Sequence, residues 1–126
     1  MNKQTVSTQN APAAIGPYSQ GVKVGNLIFT SGQIPMNPQS GELIADIEGA
    51  TKQSLDNVKA IIESAGSSMD KIVKTVVFLR DINDYAAMNA VYATYFPGNP
   101  PARSAVQVAR LPKDAVIEIE AIALAE

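Results

Sequence analysis

The sequence has 126 residues, with 10 Lys and Arg against 12 Asp and Glu and no His, Cys or Trp. That length implies one domain, residues 1–126, able to bury a core without disulfides or structural metal. Lacking imidazole and thiolate, the chain is excluded from Ser-His-Asp hydrolysis, thiol chemistry and ordinary zinc binding, so catalysis is left to carboxylates, Lys, Arg, hydroxyls, backbone groups and water.

At the amino end, Met1-Asn2-Lys3-Gln4-Thr5 is polar and starts no secretory leader. Val22–Thr30 reads as extended, broken by a turn at Gly25-Asn26, and Pro35, Pro38 and Gly41 mark a loop. Asp46 is placed to cap a helix whose Ile47, Ala50, Leu55, Val58, Ile61 and Ile62 fall on one stripe, with Gly66 closing it. Ile72–Leu79 is rich in β-branched residues and bounded by Asp70 and Asp81, which predicts a buried strand. Asp84 is expected to cap a second helix through Tyr85, Met88, Val91, Tyr92 and Tyr95, stopped by Pro97-Gly98. The tyrosines and Met88 of that helix read as core by spacing. A strand Ala102–Val108, a turn at Leu111-Pro112-Lys113-Asp114 and a last strand Val116–Ala123 complete the chain. Each strand–helix–strand unit should cross over right-handed, giving parallel strands in an α+β or α/β layered fold.

No stretch approaches the roughly 18 apolar residues of a membrane helix. A net charge of −2 gives little basis for a nucleic-acid partner, which needs concentrated Lys and Arg. The expectation is a soluble cytoplasmic protein. Strand 72–79 is apolar on both faces, and the last strand places Val116, Ile122 and Leu124 opposite Ile117 and Ile119. Two helices cover one face of a sheet. The other face calls for a second copy of the chain, because large apolar patches are seldom left wet.

Gly16-Pro17-Tyr18-Ser19-Gln20-Gly21-Val22-Lys23 has the glycine spacing of a phosphate loop, but Val22 stands where the lysine belongs. A more informative feature is Arg103, in a strand of small and apolar residues. Alternation puts Arg103, Ala105 and Gln107 on one face, and Glu118 and Glu120 share a face of the last strand. A charge in such a strand is solvated or paired. Two readings follow: Arg103 pairs with a glutamate to stabilise an interface, or its planar fork holds an anionic substrate.

The stretch Pro101-Ala102-Arg103-Ser104-Ala105-Val106-Gln107-Val108-Ala109-Arg110-Leu111, followed by Ile117-Glu118-Ile119-Glu120, resembles the signature of the RidA/YjgF family of enamine/imine deaminases. The likeness extends through Ala11–Gln20, Thr30–Pro35 and Gln53–Val58, in order along nearly the whole chain. It implies an α+β, chorismate-mutase-like fold: a mixed sheet of about six strands with two helices on one face. The last strand should lie between Leu27–Ser31 and Ile72–Leu79, antiparallel to both. It also implies a homotrimer with ligand clefts between subunits. Carried onto this sequence, the resemblance gives Arg103 the substrate carboxylate, helped by backbone at Gly32 and Ala105, and gives Glu120 the attacking water. Tyr18, Ser31 and Asn89 would line the cleft. The implied reaction is hydrolysis of a 2-imino acid such as 2-iminopropanoate or 2-iminobutanoate to the keto acid and ammonia, without cofactor or metal. Many members carry Cys where this chain has Ala105, which removes a site of thiol oxidation. The alternatives are a regulatory module that binds a small carboxylate without catalysis, and an endoribonuclease or translation inhibitor.

Overall fold

A computed structural model describes residues 1–126. Six strands, β1 (Lys3–Val6), β2 (Gly21–Val24), β3 (Leu27–Thr30), β4 (Ile72–Leu79), β5 (Ala102–Gln107) and β6 (Ile117–Leu124), form one sheet in the order β1-β2-β3-β6-β4-β5. β4 and β5 run parallel and every other neighbouring pair is antiparallel. β6 therefore lies between β3 and β4, antiparallel to both. Helices α1 (Ile47–Ser64) and α2 (Tyr85–Tyr95) make the two crossovers.

Local chemistry accounts for most of these elements. Asp46 accepts from Gly49 N at 2.8 Å and opens α1. At its far end Gly66 takes a φ of +89°, while Gly66 N bonds Glu63 O and Ser67 N bonds Ile62 O, the paired bonds that close a helix with a left-handed glycine. The apolar stripe of α1 meets Val77, Leu79, Ile117, Ile119, Ala121 and Ala123 in one core with Met88 and Tyr92 of α2. Both helices thus cover the same face of the sheet.

One strand had no reading from the residues, and one expected cap is corrected. Lys3–Val6, a polar segment with no strand signal, is a strand because it pairs antiparallel with β2 across Lys3–Val24 to Val6–Gly21; tertiary pairing overrides its weak propensity. Asp84 makes no capping bond. Asp81 instead accepts from Asn83 N at 2.9 Å, opening a 3-10 turn, Ile82–Asp84, that runs into α2.

The uncovered face carries Lys74, Val76 and Phe78 of β4, with Glu118, Glu120, Ile122 and Leu124 of β6 paired beside them or beside β3. Phe29, Val106 and Leu124 on this face are 38%, 45% and 40% exposed. No helix is long and apolar enough to cross a membrane.

Candidate active site

β5 is the sheet's edge strand, and its register sets Arg103 opposite Thr75 and Ala105 opposite Val77, on the helix-covered side. There the residues of α2 at positions 85, 89 and 92 share one stripe by helical spacing. All three meet Arg103. Its Nη1 donates to Asn89 Oδ1 at 2.7 Å and its Nη2 donates to the Tyr85 hydroxyl at 2.9 Å. The guanidinium carbon lies 4.7 Å from the centre of the Tyr92 ring and 5.5 Å from that of Tyr85, within cation–π range. Tyr92 is buried and its hydroxyl is fixed to Thr75 Oγ1 at 2.6 Å, so the ring under Arg103 is locked to β4. Burial pushes the Tyr92 hydroxyl above its ordinary range. An open cavity of about 470 Å3, lined by Asn89, Tyr92, Phe96, Pro100, Pro101 and Arg103, adjoins the guanidinium.

None of these partners is an acid. The ion pairs of the structure are Lys52–Asp56 and Arg80–Asp114, and neither Glu118 nor Glu120 pairs with Arg103. The reason is the sheet. Arg103 is aligned with Thr75 on the helix side, whereas Glu118 aligns with Phe78 and Glu120 with Val76 on the open side. Within one chain Arg103 makes no pair with a glutamate.

A second group of residues gathers on the open side. The Ser31 hydroxyl donates to Ser19 O at 2.6 Å and Ser31 N to Gln20 O at 2.8 Å, tying the segment after Tyr18 to the end of β3. Gln33 exchanges backbone bonds with Ile119, which lays Gly32 against β6. The Glu118 carboxylate fills the space beside Gly32: a Cβ there would sit 2.6 Å from Glu118 Oε2, so the carboxylate would have to shift. Burial, with the Glu120 charge two residues on, pushes the Glu118 carboxyl above its ordinary range. Tyr18 is 52% exposed, at the rim of a larger cavity of about 670 Å3 formed with residues 5–14. The buried Gln20 amide pins that segment, accepting from Thr8 N and donating to Thr8 O, Ala11 O and Pro12 O.

The residues expected at the site therefore do not meet within one chain: Arg103 and Asn89 lie on the helix side of the sheet, and Gly32 lies against Glu118 on the open side. The family model described as Endoribonuclease L-PSP matches residues 8–125. The chain belongs to the RidA/YjgF family. A protein of Escherichia coli K12 named 2-iminobutanoate/2-iminopropanoate deaminase is 60% identical over 124 residues, covering 96% of this chain and 97% of its own. The crystal structure of the E. coli YjgF gene product is 59% identical with a TM-score of 0.92, covering 96% of this chain and 98% of its own. That of E. coli TdcF with bound serine is 52% identical with a TM-score of 0.92 and the same coverage.

In this RidA/YjgF chain, Arg103, Asn89 and Ala105 lie on the α2 side of the sheet. Gly32 lies against Glu118 on the open side, and Ser31 holds the Ser19 carbonyl next to Tyr18. Reading the α2 tyrosines and Met88 as mostly core holds for Met88 and Tyr92, but spacing missed that Tyr85 and Tyr92 also face Arg103. Their signal was present in the sequence, since they stand four residues before and three after Asn89. It also left Glu118 and Glu120 equivalent, and only Glu118 lies against Gly32.

Proposed function

We propose that this protein hydrolyses 2-imino acids, such as 2-iminopropanoate and 2-iminobutanoate, to 2-keto acids and ammonia. The observation that carries the reading is Arg103: a half-buried guanidinium, fixed by two neutral hydrogen-bond acceptors and two rings, with no acid of its own chain paired to it. Such a group suits a carboxylate brought by a ligand. The 60% identical relative named as this deaminase, and the relative that holds serine, fit a small substrate of that class.

The open side supplies the water. The carboxylate role expected of Glu120 passes to Glu118, which lies beside Gly32 and whose carboxyl, raised by burial and by the Glu120 charge, is a stronger base than an ordinary carboxylate. Glu118 takes a proton from water as its oxygen bonds the imine carbon. The imine reacts in its protonated form, so its π pair moves to nitrogen. Glu118 then gives the proton to that amino nitrogen, the C–N bond breaks as the hydroxyl oxygen closes the C=O and returns its proton to Glu118, and ammonia leaves the keto acid. Holding carboxylate and water in register replaces a bimolecular encounter. Ala105 takes part through its backbone: Val108 N bonds Leu79 O, so by alternation the Ala105 N–H points to the free edge of β5. A backbone donor needs no thiol.

Because Arg103 and Glu118 lie on opposite faces, the working cleft joins Arg103, Asn89 and Ala105 of one protomer to Tyr18, Ser31, Gly32 and Glu118 of another. The homotrimer of the family provides this and covers the open face. The test generates the imine in place with an amino acid oxidase and follows keto acid and ammonia. Acceleration proportional to protein is expected. Keto-acid binding without acceleration would make the protein a carboxylate-binding module instead.

A further inference from the structure

The four tyrosines differ in what their hydroxyls do. Tyr92 shares its hydroxyl with Thr75 Oγ1, and Tyr95 donates to Asp56 Oδ1 at 2.6 Å. Tyr18 adjoins Ser19, whose carbonyl Ser31 holds. Tyr85 is the unusual one. Its oxygen accepts from Arg103 Nη2 at 2.9 Å, so its own proton is left over, and no acceptor in its own chain takes it. The residue is 40% exposed, at the first position of α2. An O–H with a spare proton thus stands beside the guanidinium that lacks an anion.

We propose that Tyr85 is a substrate-binding residue of this site, donating its hydroxyl proton to the same carboxylate that Arg103 holds. The inference rests on the carboxylate-binding reading of Arg103 and adds a second donor to it. An O–H and an N–H side by side, with their heavy atoms 2.9 Å apart, suit the two oxygens of one carboxylate. Because Arg103 donates to the same hydroxyl, the phenol is polarised and becomes a better donor.

The arrangement carries a pH signature. The Asn89 amide, and then the Arg103 charge, hold the Tyr85 hydroxyl below the ordinary tyrosine value of 10.0. Of the other groups on the elements around it, Tyr92 is committed to Thr75 and Asp81 to Asn83 N; Asp84, at the preceding position, is the remaining acid of that turn. Ionisation removes the donor and places a negative charge against Arg103, so carboxylate binding weakens as the solution becomes alkaline.

The experiment is calorimetric titration of the intact protein with 2-oxobutanoate, from pH 7 to pH values near 10, for the unsubstituted chain and Tyr85→Phe. Phenylalanine keeps the ring over Arg103 and, at this exposed position, keeps the fold. At pH 7 the variant is expected to bind about tenfold more weakly, the effect of one hydrogen bond to a charged group. The unsubstituted protein should lose affinity toward pH 10 while the variant stays flat over that range. In turnover of the imino acid, the loss should fall on KM more than on kcat. Equal affinities and a shared alkaline decline would overturn the role of Tyr85 and leave the site reading standing. A fall in kcat with unchanged affinity would overturn it too, making Tyr85 a positioning residue for Arg103. If the unsubstituted protein binds no keto acid, both readings fall together.

Discussion

The two faces of the sheet are finished to different degrees. On the helix side a guanidinium, a buried tyrosine and a buried threonine find partners within one chain, and the apolar residues close around them. On the open side Phe29, Val106 and Leu124 are wet, and two glutamates stand near each other without a cation. A single chain can satisfy a charge by surrounding it with helix. It has no second layer for the other face. The contrast teaches that the chain satisfies one face of its sheet by itself and leaves apolar residues uncovered on the other.

Breaking the assembly is the largest test. Phe29→Asp puts a charge on the open face at a position already 38% exposed, so the protomer should fold while light scattering shows a monomer and turnover disappears. A monomer with full activity would mean that one chain makes a whole site. Next comes Glu118→Gln, which should cost about 10²–10⁴ in turnover, roughly 3–5 kcal/mol of barrier, with Glu120→Gln far milder. The reverse order would return the water to Glu120.

Glu118 also makes a stability prediction of definite sign. Its carboxyl is raised in the folded chain, so folding favours the protonated form and stability falls as pH rises from the ordinary carboxylate range through the raised value. On the Phe29→Asp background, where no partner charge intervenes, Glu118→Gln should therefore raise Tm at neutral pH. Below the ordinary carboxylate range the gain should vanish. A variant less stable at neutral pH would show that the ionised carboxylate is stabilised, not penalised.

Gly32→Ala sharpens the same corner. The added methyl would meet Glu118 Oε2 at 2.6 Å, and the flexible carboxylate end will move before the backbone does. Turnover should drop by about a hundredfold with little change in Tm, because a misplacement of about 1 Å costs that much. On the helix side, Arg103→Lys keeps the charge but loses the fork and its fixed hold on Asn89 and Tyr85; keto-acid affinity should fall about 10- to 100-fold. Near-normal binding would mean that Arg103 serves structure alone. The smallest effect is Ser54→Ala in α1. The Ser54 hydroxyl is buried without a partner, so its removal should raise stability by about 1 kcal/mol in a melting experiment and leave turnover unchanged.

Much of this was legible in the residues. Asp46, the stripe of α1 and Gly66 define a helix because capping and periodicity are local, and the β-branched run of β4 and the alternation of β6 are local too. Arg103 stood out because a lone cation in a strand of small residues needs an explanation, and the long ordered motifs supplied the family. The strand Lys3–Val6 was hidden, since its stability comes from β2 and not from its own side chains. The choice between Glu118 and Glu120 was hidden as well: alternation gives both the same face, and only the bridge between Gln33 and Ile119 lays Gly32 on one of them. Sequence alone determined which residue types carry chemistry and which elements hold them, because those depend on neighbours three or four positions away. Tertiary structure decided which charges meet. Register in the sheet sends Arg103 and the glutamates to opposite faces, and that separation between residues far apart in the chain is set by strand pairing alone.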